Sequence, residues 1–219
     1  FHDRTFGLAV DVGTTTIAAH LCNLASGEVV AALGAMNPQI RFGEDVMSRI
    51  SYLQLNPDRA ADPTAAVRAT IDELATAATA KAGIDPTEIV EATVVGNPTM
   101  HHMLLGLDSR QLGSAPFPLV TQSAVTVRAH DLDIAVHEGA MVYALPCIAG
   151  HIGADTAGVI LSEAPHLDDA LTLIIDIGTN AEIVLGNRQR LLACSCPTGP
   201  AFEGAQISCG QRAAPGAIE

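Results

Sequence analysis

The sequence has no tryptophan, and aromatic residues make up only 3% of its 219 residues. A core with so few rings must be built from Ala, Val, Ile and Leu, a composition that suits packed α/β layers. The hydrophobic fraction of 48% and the charged fraction of 16% are those of a well-buried globular protein and argue against a disordered one. The length allows one large domain or two small ones.

Positive charge is also scarce. Lys81 is the single lysine, and Lys plus Arg total 11 against 24 Asp plus Glu, which gives a net charge of −13 at pH 7. A broad nucleic-acid interface depends on many cationic contacts with phosphate, so none is expected here. The sequence predicts that any anionic ligand is held by backbone N–H groups, hydroxyls or a metal ion.

Long apolar runs and a regular cysteine framework are missing as well. No run of 18 apolar residues occurs, so no membrane span is predicted. The five cysteines are an odd number without the C-x₄-C-x₂-C spacing of a [2Fe–2S] site, and a secreted disulfide framework is not expected. We therefore predict a cytoplasmic protein with free thiols.

What the sequence does contain is an acidic turn rich in glycine and hydroxyls, and it contains that turn twice. Residues 11–16 read Asp-Val-Gly-Thr-Thr-Thr, and residues 176–180 read Asp-Ile-Gly-Thr-Asn, each between apolar runs that predict strands. One copy is typical of an ordinary polar β-turn. Two copies in matching contexts indicate a duplicated phosphate-binding hairpin with a nucleotide between the copies. Neither a Rossmann nor a P-loop motif is present.

The chemistry of the two turns suits ATP and magnesium. Glycine lets the backbone approach phosphate oxygens, and hydroxyls add donors. The candidate phosphate ligands are Gly13, Thr14, Thr15, Thr16, Gly178, Thr179 and Asn180. Asp11 and Asp176 would repel phosphate directly, so we assign them to a magnesium ion, held through water. The magnesium would supply the positive charge that the side chains lack.

Further candidates lie where predicted helices begin. Asn97 follows a buried strand and would cap a helix, leaving free N–H groups near the carboxyl end of that strand; whether it also faces the γ-phosphate stays open. Asp155 starts a helix of small residues and is either an ordinary helix-start acid or an acid that orders magnesium-bound or attacking water. The glycine-rich loop after the second hairpin adds Gly199 and Gly204 as nucleotide-binding candidates.

The remaining pattern predicts an antiparallel meander over 6–36 and helical spacing over 43–50. A longer helix is predicted to begin with Asp62 as its N-cap and to stop at Gly83. Residues 113–138 contain three β-like pieces without a clear partner.

With its paired hairpins, the chain resembles the ASKHA superfamily of actin, sugar kinases and heat-shock chaperone ATPases. This resemblance implies an α/β, ribonuclease-H-like (actin-like ATPase) fold in which two halves clamp ATP and magnesium. We expect residues 1–164 to form one complete ribonuclease-H-like subdomain and residues 165–219 to form the beginning of the second.

Longer motifs are similar to those of the reductive activators of corrinoid proteins. They are Leu8–Thr16, Asn37–Gln39, Gly43–Ile50, Val95–His102, Ala144–Pro146, Gly153–Asp155 and Gly199–Gly210. The Gly-Asn-Pro-Thr-Met-His and Gly-Pro-Ala-Phe-Glu-Gly stretches are the most specific of them. The resemblance implies an iron–sulfur ATPase whose upstream ferredoxin-like [2Fe–2S] domain passes an electron to cobalt(II) of a corrinoid methyl carrier, with ATP driving the step.

For this chain, the resemblance implies ATP and magnesium as cofactors, with Asp11, Asp155 and Asp176 as the catalytic, water-mediated magnesium ligands. The [2Fe–2S] cluster is expected only in an upstream domain that is not present here, and ATPase activity is expected of the full-length protein. The Gly-x-x-Gly-Ser-Gly-type adenosine motif of the family does not occur in this sequence. The implied partner is the corrinoid protein of a methyltransferase system, and a homodimer is left open.

The sequence also allows two other functions. One is a sugar-kinase-like phosphotransferase, which would need a substrate pocket with a carboxylate base. The other is a non-catalytic actin-like docking module, which would bind no magnesium–ATP.

Overall fold

The computed structural model describes residues 4–178 and 180–197. The chain divides into two compact units, residues 1–161 and 162–219. The predicted subdomain boundary at 164/165 stays a prediction. Three site candidates, Thr179, Gly199 and Gly204, lie outside the described residues.

The first unit alternates strands and helices along most of its length. In chain order its elements are β1 (Phe6–Val12), β2 (Thr16–Asn23), β3 (Val29–Met36), α1 (Val46–Leu55), α2 (Ala61–Ala82), β4 (Ile89–Gly96), α3 (Pro98–Leu105), β5 (Val125–Arg128), β6 (Met141–Ala144) and α4 (Ala154–Glu163), the last of which crosses the boundary. The predicted α/β class is confirmed.

The strands form one mixed sheet in the order β3-β2-β1-β4-β6-β5. The first three make the predicted antiparallel meander, β4 is parallel to β1, and β6 is parallel to β4. β5 pairs antiparallel with β6 at the edge. Because β1 and β4 run in the same direction side by side, the segments that follow them leave the sheet at the same end.

Helix α2 covers one face of this sheet and packs against β2 and β3. Its apolar face, at helical spacing, is buried against apolar side chains that alternate along β1 and β2. The buried residues on the two sides include Val67, Ile71, Leu74 and Ala78 from the helix and Leu8, Val10, Ile17 and Leu21 from the strands. On the other face of the sheet, Ala9 and Asp11 of β1 are exposed.

Two local expectations are wrong. Helix α2 begins at Ala61 rather than after Asp62, and Asp62 lies in its first turn, where it forms an ion pair with Arg59. The 3₁₀ turn of residues 57–59 leads into the helix, so no side-chain cap is needed there. Of the three β-like pieces in residues 113–138, only β5 forms a strand, because it alone finds a partner in β6. The predicted stop at Gly83, which adopts the left-handed conformation, is confirmed.

The second unit contains an antiparallel three-stranded sheet in its described residues, in the order β7 (Thr172–Ile177), β8 (Asn180–Asn187) and β9 (Arg190–Pro197). This is the predicted second hairpin, and its predicted return through residues 191–194 forms β9. Within residues 4–178 and 180–197, no helix combines the length and the apolarity that crossing a bilayer requires.

The packing of α2 makes a stability prediction. Ile71 is fully buried against the sheet, so Ile71→Ala should lower the free energy of unfolding by about 2–5 kcal/mol through lost burial and the cavity left behind. Thr76, which is exposed on the same helix, is the control, and Thr76→Ala should change stability by no more than about 0.5 kcal/mol. Urea unfolding followed by circular dichroism measures both, and equal effects would contradict the packing described.

Candidate functional site

The candidate residues of the first unit gather at one end of the mixed sheet. In the parallel register Val12 lies beside Gly96, so the Gly13–Thr16 turn and Asn97 both begin where these adjacent strands end. Ligands of open α/β sheets bind outside the carboxyl ends of the strands. Asp11 is exposed at this end of β1.

Asn37 and Arg49 hold the first turn in place by donating hydrogen bonds to its carbonyl groups. Asn37 donates from Nδ2 to the carbonyl of Gly13 at 2.8 Å and from its backbone N to the carbonyl of Thr15 at 2.8 Å. Arg49 donates from Nη2 to the carbonyl of Thr14 at 2.6 Å. Because C=O and N–H point in opposite directions across a trans peptide, the N–H groups of Thr14 and Thr15 face away from these donors. Such successive N–H groups can bind an anion.

Glycine is required at position 13 by space. A Cβ atom there would lie 2.6 Å from the carbonyl oxygen of Thr16, a distance that side chains do not tolerate. The turn therefore closes tightly only with glycine, as the sequence predicted for a backbone that approaches phosphate.

Asn97 connects the turn to helix α3. Its Oδ1 accepts from the backbone N–H groups of Thr99 and Met100, which makes it the predicted N-cap. Its Nδ2 donates to the hydroxyl of Thr14 at 2.9 Å. One amide side chain thus fixes both the start of α3 and the orientation of a candidate phosphate ligand.

The expectation of free N–H groups at the start of α3 is wrong. Pro98 has no N–H, and those of Thr99 and Met100 are occupied by the Asn97 side chain. The N–H of His101 donates to the carbonyl of Asn97 at 2.9 Å. The cap is complete, so this helix end contributes the side chain of Asn97 rather than backbone donors.

Asp155 lies in the first turn of α4, and its Oδ1 accepts from the backbone N–H of Thr156 at 2.7 Å. A Cβ atom at Gly153 would lie 2.5 Å from the carbonyl oxygen of Gly96 and 2.7 Å from Oδ1 of Asp155. The start of α4 therefore touches the end of β4, and the Asp155 carboxylate lies beside the Gly96–Asn97 junction. Asp155 is a helix-start acid, and it also belongs to the same sheet end as the turn.

A buried polar layer beneath the turn was not singled out from the sequence. Asn37, Gln39 and Arg49 are all fully buried. Arg49 reaches the carbonyl of Gly43 from Nε at 2.9 Å and Oε1 of Gln39 from Nη1 at 3.4 Å, in addition to Thr14. The signal was present in the Asn-Pro-Gln and Gly-Glu-Asp-Val-Met-Ser-Arg stretches, but their contact with the turn is not visible in a helical pattern.

The charge of Arg49 survives this burial. Burial lowers the pKa of Arg49 to about 10, and the negative charge of Asp45 acts in the opposite direction, so the guanidinium stays protonated at neutral pH. The pKa of Cys147 is shifted upward. Burial raises the pKa of its thiol to about 11, and the Asp155 charge makes a smaller contribution in the same direction. Cys147 therefore stays a neutral thiol beside the site.

Two cavities of the first unit lie away from this sheet end. Cavities of about 480 and 500 Å³ are lined by residues of α1, α2 and the loop after α3, and by Arg41, Phe42 and Tyr52. A smaller cavity of about 170 Å³ reaches Asp11 on the open sheet face. The candidate site is therefore defined by converging hydrogen bonds rather than by a deep cavity, and successive backbone N–H groups can bind an anion at an open turn.

In the second unit, Asp176 stands on β7 directly opposite Glu182 on β8. Ser195 of β9 pairs with Glu182 in turn and donates from its hydroxyl to Oε1 of Glu182 at 2.9 Å. Burial raises the pKa of Glu182; the Ser195 hydrogen bond opposes this shift, and the Asp176 charge adds to it. Two carboxyl groups and a hydroxyl therefore share one face of this sheet.

The two hairpins are similar in sequence but differ in detail. In the first, Val12 pairs with Ile17, whereas in the second Ile177 pairs with Ala181, so the second turn is one residue shorter. Its Gly178 N–H donates to the carbonyl of Asn180 at 2.9 Å. The residue opposite Asp11 is Ala18, but the residue opposite Asp176 is Glu182. Sequence reasoning missed Glu182 because its partner depends on the length of the turn.

The donor set fits magnesium bound through water. Asp11 and Asp155 offer carboxylate oxygens at one sheet end, and Asp176 offers another in its own unit. Within the described residues, no group of three or more His, Cys, Asp or Glu lies close enough to form a protein-only metal site. Magnesium keeps several waters and takes one or two carboxylates together with phosphate oxygens, and the carboxylates here suit that mode.

Comparison with known families places both units. Residues 6–167 match the model of the RACo middle region, and residues 170–219 match that of the C-terminal domain of RACo, the ASKHA domain. The corrinoid activation enzyme RamQ of Eubacterium limosum is 36% identical over 98% of this chain and 36% of its own length. A [Co(II) methylated amine-specific corrinoid protein] reductase of Methanosarcina barkeri is 26% identical over 97% of this chain and 40% of its own length.

Solved structures agree with this relationship. A reductive activator for a corrinoid, iron–sulfur protein superposes with a TM-score of 0.89 at 41% identity, over 98% of this chain and 34% of that one. A 2-dehydro-3-deoxygalactonokinase-type protein from Sinorhizobium meliloti superposes with a TM-score of 0.51 at 12% identity, over 92% of this chain and 57% of that one, which shows the fold alone.

The predicted actin-like fold is therefore confirmed, together with the resemblance to reductive activators. The chain spans 36% and 40% of the lengths of the two curated relatives. By the match over most of its residues, the chain belongs to the RACo family, with a RACo middle region followed by the C-terminal ASKHA domain.

Proposed function

We propose that this chain is the ATP-binding and ATP-hydrolysing part of a reductive activator of corrinoid-dependent methyltransferase proteins. In this proposal ATP is coupled to the reduction of cobalt(II) to cobalt(I), with the electron supplied by a [2Fe–2S] domain elsewhere in the full-length protein. The observation that carries the proposal is the convergence of the Gly13–Thr16 turn, Asn97 and Asp155 at one sheet end in a RACo-family chain.

The first turn is proposed to bind phosphate. The N–H groups of Thr14 and Thr15 face away from the interior, and the Thr14 hydroxyl is oriented by Asn97. Thr15 and Thr16 are exposed and available as further donors. The second turn, with Gly178, Thr179 and Asn180, is proposed to bind the phosphates from the second unit.

Asp11, Asp155 and Asp176 are proposed to hold magnesium through water. When bound, magnesium neutralises phosphate charge and stabilises the transferring phosphoryl group. The exposed Asp11 can order water at the end of β1, and Asp155, beside Asn97, can order or orient water next to the turn. Glu182 is added to the proposed site because it faces Asp176.

The partner is proposed to be the corrinoid protein of a methyltransferase system. The support is that two relatives of this chain are a corrinoid activation enzyme and a corrinoid protein reductase. A cytoplasmic location is proposed as well, and the free thiols of Cys22, Cys147, Cys194 and Cys196 fit a reducing compartment. The homodimer stays a prediction.

Removal of the carboxylate before either turn should strongly reduce ATP hydrolysis. Asp11→Asn and Asp176→Asn in the full-length protein should each lower the turnover number by about 100-fold or more, because magnesium-ordered water loses its anchor. Glu73→Gln, which removes an exposed carboxylate on α2, should leave turnover unchanged. Phosphate release with magnesium–ATP measures all three, and near-normal turnover of Asp176→Asn would rule out its assigned role.

The two roles of Asn97, capping α3 and orienting the Thr14 hydroxyl, should be separable by substitution. Asn97→Ser keeps a helix cap but loses the amide that orients Thr14, so it should weaken nucleotide binding while lowering stability by less than about 1 kcal/mol. Asn97→Ala should lose both. Thr14→Ala removes the same contact from the other side, and in a double-mutant cycle with Asn97→Ser the losses in ATP affinity should be less than additive. Additive losses would mean that the contact does not serve binding.

The coupled activity has a direct optical test. The full-length protein, reduced at its iron–sulfur domain, should convert a cobalt(II) corrinoid protein to cobalt(I) only with magnesium–ATP, as followed by the corrinoid absorption spectrum. A non-hydrolysable ATP analogue should not sustain turnover. Reduction at the same rate without nucleotide would contradict the coupling.

A further inference from the structure

A fully buried arginine lies directly beneath the first turn. Arg49 of α1 donates from Nη2 to the carbonyl of Thr14 at 2.6 Å, from Nε to the carbonyl of Gly43 at 2.9 Å, and approaches Sδ of Met100 at 3.3 Å from Nη1. Its exposed fraction is 0%, so water does not replace any of these partners.

This buried charge has no ion-pair partner among residues 4–178 and 180–197. No carboxylate oxygen of these residues lies within 4.0 Å of the Arg49 guanidinium, whereas Arg59, Arg68 and Arg110 each form an ion pair. Asp45, the N-cap of the same helix, uses its Oδ1 to accept from Ser48. The Asp45 charge acts on Arg49, but without a direct ion pair among the described residues. A charge buried in this way is expensive for a folded protein, so its position needs a reason.

The geometry supplies that reason. Arg49 binds the carbonyl side of the peptide group that joins Thr14 to Thr15, and the N–H of Thr15 lies on the opposite side of the same group. A cationic donor on the carbonyl polarises the peptide and strengthens its N–H as a donor. The same contact places the guanidinium charge on one side of the Thr14–Thr15 peptide, and the proposed phosphate position lies on the other side.

We infer that Arg49 is a positioning residue of the nucleotide site, whose buried charge polarises the Thr14–Thr15 peptide and has the phosphate groups of the nucleotide as its counter-ion. The inference rests on the proposed function and adds to it the source of positive potential at the turn. It adds a buried cation behind the backbone N–H groups that the acidic composition predicts as ligands for an anion.

A purely structural role makes a different prediction. If Arg49 only holds the turn in place, then loss of its hydrogen bonds matters and its charge does not. Lysine keeps the charge but loses the planar fork, and glutamine keeps an amide donor but loses the charge. The two substitutions therefore separate charge from hydrogen bonding at one position.

The test is calorimetric titration of the full-length protein with magnesium–ATP, inorganic pyrophosphate and adenosine. Arg49→Gln should weaken ATP and pyrophosphate binding by about 100-fold, and Arg49→Lys by about tenfold, with adenosine unaffected in both. Arg68→Met is the matched control, since Arg68 also donates to a backbone carbonyl, that of Leu104 at 2.9 Å, on α2. It should bind all three ligands as the wild type does.

The titrations distinguish failure of the proposed function from failure of the inference about Arg49. If the wild type binds neither ATP nor pyrophosphate, the proposed function fails and the inference fails with it. If the wild type binds and Arg49→Gln binds equally well, the inference alone is overturned, and equal losses in Arg49→Lys and Arg49→Gln overturn the role of charge. Urea unfolding checks that each variant is folded.

A measurement on the wild type covers the case in which Arg49→Gln does not fold. In protein labelled selectively at arginine, the Nε–H signal of Arg49, assigned by its loss in Arg49→Lys, should shift when pyrophosphate is added. The Arg68 signal should not move. An unchanged Arg49 signal with pyrophosphate bound would overturn the inference.

Discussion

The parallel pairing of β1 with β4 is the constraint on which the site of the first unit depends. Its register sets Val12 beside Gly96, and each strand is followed at once by a functional segment. The turn after β1 and the cap after β4 then need only one further contact, the bond from Asn97 to Thr14, to become a single unit. Because the start of α4 also touches Gly96, a shift of this register would separate Asp155 from the turn as well.

Local signals in the sequence predicted much of this arrangement. The meander, helix α3 with its Asn97 cap and the left-handed stop at Gly83 depend on residues within a few positions of each other. Turn residues and helical spacing in the sequence predict such short-range interactions directly. The N-cap of α2 was predicted wrongly. The helix follows directly on a 3₁₀ turn, which removed the need for a side-chain cap.

Long-range contacts could not be predicted in the same way. Arg49 lies 35 residues from Thr14 in sequence, and its position in α1 gave no sign that it would reach a carbonyl in the turn. Glu182 lies close to Asp176 in sequence, but its place opposite that residue follows from a turn one residue shorter than the first. Similar motifs therefore concealed a chemical difference, since alanine occupies the position opposite Asp11.

This difference bears on how an acidic protein can bind a polyphosphate. The net charge of −13 opposes the approach of ATP, so attraction must be concentrated where distance is short and water is absent. In the first unit the buried Arg49 meets this need without exposing a cation that would pair with the many surface carboxylates. The described part of the second unit instead sets Glu182 against Asp176. Two adjacent carboxyl groups attract a cation rather than phosphate, so the second hairpin has a cation-attracting pair that the first hairpin, with Ala18 opposite Asp11, lacks.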